Sequence, residues 1–177
     1  MKKLIFTLFS LASLVLITSC ESDDDASTNS DASIEGTWLL TAWNSSIPLD
    51  LNNDGTASTN LLDEVNCLTN ETIVFDANGG AVVNSTSFLD LEIFVESGTT
   101  DSFEFEVNCE FEDETFALAY TRVDNPVILT EIGESEGFVG TLNGNELNLD
   151  LEEEFEIYDD EFEVAGTIDL NIVYTKQ

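Results

Sequence analysis

The chain has 177 residues, 42% of them hydrophobic, which suits one domain with a core of its own plus a leader. Asp and Glu number 37 against 4 Lys and Arg and no His, giving a formal charge of -33 at pH 7. No basic patch exists to neutralise phosphates, so nucleic acid is excluded as a partner, and His-dependent nucleophile systems are disfavoured. Such charge describes a solvated, self-repelling surface, which salt would screen.

Residues 1–20 read as a targeting segment. Lys2 and Lys3 form a positive start, and Leu4 to Ile17 is an apolar run too short for a comfortable membrane span. The run ends Ile17-Thr18-Ser19-Cys20, small residues before a Cys, which resembles a bacterial lipobox. In that reading Cys20 is lipidated, becomes the new N-terminus, and its acyl chains anchor the protein to a membrane. The other reading is an ordinary secretory signal with an incidental Cys. Residues 21–33 carry no large apolar side chain and read as an acidic flexible tether. Its Ser22-Asp23-Asp24-Asp25 is similar to the acidic export signal of surface lipoproteins in the Bacteroidota.

From Ile34 to Gln177 the apolar residues alternate with polar ones, the period of β-strands. Leu147, Leu149, Leu151, Phe155 and Ile157 form one inward row, and Phe103, Phe105, Val107, Cys109 and Phe111 another. Leu89, Leu91, Ile93 and Val95 form a third. The last comprises Phe162, Val164, Ile168, Leu170, Ile172 and Tyr174. The residues between them are largely Glu, Asp and Asn, as in an antiparallel sheet with one wet face. Turns are expected at Asp76–Gly80, Asn125-Pro126, Asn143–Asn145 and Tyr158–Asp160. Roughly eight to ten strands and no convincing helix predict an all-β fold, a meandering sandwich or a closed barrel.

With Cys20 lipidated, Cys67 and Cys109 are the remaining thiols, and in an exported chain they are expected to pair; two free thiols are the alternative. The bond would tie the long segment after the first strand to the inward face of a mid-barrel strand. Neither Cys belongs to a Cys-x-x-Cys pair, so they suggest no metal. Paired carboxylates are no signal for a hydrolase, because 37 acids meet by chance. One acidic stretch is more specific. Asp50, Asn52, Asp54 and Thr56, with Gly55 at the tight turn, resemble the calcium loops of EF-hands and dockerins. The twelfth position is Leu61 rather than Glu, so Asp63 or Glu64 would have to supply the last carboxylate. An Asn/Asp/Gly-rich surface turn is the competing reading.

Gly36-Thr37-Trp38 on the opening strand looks like the start of a lipocalin-type barrel. With the acidic loop, Cys67, the turn at Asp76–Gly80 and the ending Tyr174-Thr175-Lys176, it makes residues 34–177 resemble the small lipocalin-like lipoproteins of the Bacteroidota. The resemblance implies an antiparallel up-and-down barrel of about eight to ten strands whose interior holds a small apolar ligand. It also implies that a basic side chain from the chain's end covers the Trp of the first strand. Lys176 is in phase with the last inward row, so it is the candidate to lie over Trp38. A frayed end with Lys176 in solvent is the alternative.

Two further residues stand out. Glu153 falls in an inward row, either as a polar anchor in a cavity or as a residue turned outward at a bulge. Arg122, in phase with Phe116, Leu118 and Tyr120, would clamp a ligand carboxylate or form a structural ion pair. Together these readings predict a monomeric, non-enzymatic lipoprotein, lipid-anchored to the outer membrane at the cell surface, that binds a small hydrophobic ligand. The second reading is an acidic structural or adhesion module, calcium-dependent and without a small-molecule ligand.

Overall fold

The computed structural model describes residues 33–177 other than residue 101. The leader, Cys20 and most of the tether lie outside the described residues. Eleven strands follow in order: β1 (Gly36–Leu49), β2 (Ser58–Asn60), β3 (Thr72–Phe75), β4 (Gly80–Ser85), β5 (Phe88–Val95), β6 (Phe103–Glu110), β7 (Glu114–Arg122), β8 (Pro126–Glu131), β9 (Gly137–Asn143), β10 (Glu146–Tyr158) and β11 (Val164–Lys176). Eight of them close an antiparallel barrel in the order β1-β3-β4-β7-β8-β9-β10-β11, each beside its predecessor and β11 back beside β1. This is an up-and-down barrel of the lipocalin kind. Closure removes the open edges that long alternating strands would otherwise expose.

Three strands lie outside the barrel. β2 adds to β1, and the β5–β6 hairpin is inserted between β4 and β7. The hairpin joins the sheet by a short parallel pairing, Ile93 with Ile157 and Phe94 with Tyr158 of β10. Cys109 therefore stands on a strand outside the barrel, not on a mid-barrel strand.

The long strands β1, β10 and β11 run through two cores. Every barrel strand supplies a side chain to the first, which gathers Trp38, Ile73, Phe75, Ala81, Leu118, Val127, Leu129, Leu142, Leu147 and Leu149, with Tyr120, Ile172 and Tyr174 against it. Trp38, Phe75 and Tyr120 stack edge-on in series, with centroids 6.2 and 5.1 Å apart. The second core gathers Leu49, Leu61, Leu91, Ile93, Ile157, Ile168 and Leu170, with Trp43 and Phe155 beside it. Burying side chains of this size contributes about 1.5–3 kcal/mol each, so the second core, through Leu91 and Ile93, helps hold the hairpin to the barrel.

Bulges let one strand serve both cores. A register shift between Leu40 and Ala42 moves the buried row of β1 from Trp38 and Leu40 to Trp43, Ser45 and Leu49. A second, between Leu151 and Phe155 of β10, absorbs Glu153. Of the two readings of Glu153, the structure bears out the residue turned outward at a bulge and overturns the inward anchor. Glu153 is exposed, its φ is 56°, and its N–H donates to Asp169 Oδ1. The extra residues bend the strand and turn the acid out of the row. The inward rows are also shorter than the alternation implies. Phe162 and Val164 are exposed before the buried part of β11, and Phe111 is exposed past the end of β6.

Candidate functional site

The barrel end where β1 begins is plugged. Trp38 is fully buried, and its indole N–H donates to Ile34 O at 2.7 Å. Lys176 is its register partner across the β1–β11 seam, and the ammonium stands 5.7 Å from the ring centroid. The ammonium also donates to Ser33 O. Gly36 makes this approach practicable: its φ is 120°, and a Cβ there would sit 3.4 Å from Lys176 Cε. Arg122, at the end of β7, donates through Nε to Asp124 O at 2.6 Å.

The interior of the barrel is occupied by its own side chains. Gly140 on β9 shows how little room is left, because a Cβ there would meet Leu149 Cδ2 at 2.6 Å and Leu147 Cδ1 at 3.0 Å. Apolar surface is instead exposed where β7 and β9 begin. Phe116 and Phe138 are about half exposed there, and Ile132 in the β8–β9 turn is more so. Glu131, Glu134 and Glu136 line a shallow recess beside Phe138.

The acidic loop is a self-knit surface turn. Asp50 accepts from Asp54 N and Gly55 N, Asn52 also accepts from Asp54 N, and Asp54 accepts from Thr56 N. These Asx-type bonds satisfy the backbone of an exposed loop. Among the described residues, no group of three or more His, Cys, Asp or Glu is arranged to hold a metal ion.

Past the loop the chain turns inward. Asn60 caps a single 3-10 turn, Leu61–Asp63, by accepting from Leu62 N, and it fastens that turn to β1 by accepting from Trp43 N. Leu61 is fully buried in the second core, which pulls the following Glu64 down with it. Three residues on, Cys67 bonds to Cys109 of β6. Between these two fixed segments lies an open groove of about 460 Å³. Asn52, Asp63, Glu64, Val65 and Asn66 form one wall, Val107 and Cys109 the other. Glu64 is only 8% exposed, and its Oε2 has no hydrogen-bond partner among the described residues.

A second buried acid is fully served. Glu71 accepts from Thr86 N and Oγ1 and from Ser87 Oγ, while Leu68 N donates to Ser87 Oγ. It clasps the entry of β3 to the β4–β5 link. Nothing in the sequence marks Glu71, a lone acid between Asn70 and Thr72. Glu64 was visible there only as a spare calcium ligand.

The structure thus brings together Cys67 with Cys109 and Trp38 with Lys176. The chain matches no protein-family model, no curated protein and no solved structure.

Proposed function

We infer that this protein is an exported, lipid-anchored, non-enzymatic module that works through its acidic exterior, with the barrel as a packed support. The observation that carries this reading is the occupied interior, to which every barrel strand contributes and in which Gly140 is needed to make room. A small apolar ligand would have to displace Leu147, Leu149 or Trp38 from close-packed positions. The anchor rests on the sequence, Ile17-Thr18-Ser19-Cys20. Cys20→Ala is expected to move the protein from the membrane fraction to the soluble one; a variant still fully membrane-bound would remove the anchor from this reading.

Titration with the neutral probe N-phenyl-1-naphthylamine tests the packed interior. The expected result is no saturable fluorescence gain. A one-to-one gain that Leu149→Ala alters would place a ligand in the lumen and overturn the reading. The exposed rings of Phe116 and Phe138 favour one second reading, an apolar ligand at the barrel mouth. That ligand's signal would be lost in Phe138→Glu and unchanged in Leu149→Ala.

A further inference from the structure

We propose that the groove beside the Cys67–Cys109 bond receives a Lys or Arg side chain from an extended, basic segment of a partner protein. The inference rests on the reading that the exterior, not the lumen, is the working surface. The first ground is Glu64. A carboxylate nine-tenths buried, with one oxygen lacking any partner among the described residues, needs a donor or a cation to offset its desolvation. The described residues do not supply one. Of the two described basic residues, Lys176 is engaged at Trp38 and Ser33, and Arg122 donates at the far end of β7.

The second ground is the shape and lining of the groove. About 460 Å³ is far more than one ion fills, and the walls alternate in character. Val65, Val107 and the disulfide offer apolar surface, while Asp63 and Glu64 offer carboxylates. A Lys or Arg side chain has that same division, with a methylene stem to lie on the apolar wall and a charged head for the acids.

The third ground is the wall itself. Among the described residues β6 is the last strand of its sheet and pairs only with β5, which leaves its other edge to an added strand. Its Glu104, Glu106 and Glu110 lie on the face opposite Val107 and Cys109, so the Lys row of such a strand meets Glu64 in the groove and not those acids. A second copy of this chain, at -33, is the wrong partner.

The test is calorimetric titration of the full-length protein, in detergent and at physiological salt, with an acetylated and amidated Val-Lys-Val-Lys-Val peptide. One-to-one binding is expected, absent for the same peptide with Gln at each Lys. Glu64→Gln should weaken it at least tenfold. Glu154→Gln, an exposed acid on β10, should change it less than twofold. V107K, which lays a tethered ammonium in the groove, should abolish binding without lowering the thermal midpoint. Equal losses in E64Q and E154Q would mean diffuse charge attraction and overturn the proposal. So would calcium chloride binding that E64Q removes while the peptide fails to bind. The probe titration of the lumen is a separate measurement, so either reading can fail alone.

Discussion

Tyr174 shows what the barrel does to a single group. It lies against the first core, where burial pushes its hydroxyl up to about 12, with the Glu71 carboxylate adding to the rise. The fold accommodates the neutral phenol, whereas the unfolded chain ionises near 10. The contribution to stability is therefore whole below pH 10 and is lost as the pH climbs from 10 to 12, about 3 kcal/mol in all. Urea midpoints should fall across that window and not below it. Tyr174→Phe should flatten most of the fall, whereas an equally steep fall in the variant would assign it elsewhere. Tyr120 shifts the same way, by burial first and then through Glu35 and Asp76, with Arg122 opposing. It is nearer to solvent and should account for the smaller residual slope.

Among the elements, the β5–β6 hairpin is only weakly tied to the barrel by its backbone. Its backbone link to β10 is two residue pairs long, so it depends on the second core and on the disulfide to the segment before β3. The bond closes a loop with a sequence separation of 42, and removing it is expected to cost about 2–4 kcal/mol. Replacing Cys67 and Cys109 by Ser should raise amide exchange first along β5 and β6, before the barrel strands respond. Uniform exchange throughout the protein would mean that hairpin and barrel open as one unit.

The whole molecule is set by its charge. With -33 on one chain, mutual repulsion among surface carboxylates opposes the compact state, and the described residues offer only Arg122 and Lys176 against it. Monovalent salt should therefore raise the thermal midpoint steadily from low ionic strength to about 1 M, as the screening length shrinks from tens of ångströms to about 3 Å. Sodium chloride and tetramethylammonium chloride should act alike. A midpoint independent of salt would show that the acids are spread too widely to repel.

Alternation by itself determined that this chain is a β-protein with one wet face, because a period of two has no other regular solution. It also carried Lys176 to the inward face, since strand phase persists to the chain's end wherever the register is regular, while placing it over Trp38 came from the resemblance to lipocalin-type barrels. The cysteine count was enough to expect Cys67 with Cys109. Phase cannot report a bulge, so it left Glu153 either inward or turned out, and only the extra residues of β10 placed against β11 decide for the bulge. Nor could it say that β5 and β6 leave the barrel, because an inward row looks the same whichever core receives it. The buried carboxylates of Glu64 and Glu71 were illegible for a related reason. Each is an ordinary acid in an acidic sequence, and only packing from distant segments, Leu61 in the second core and Thr86 with Ser87 at the β4–β5 link, takes them out of water.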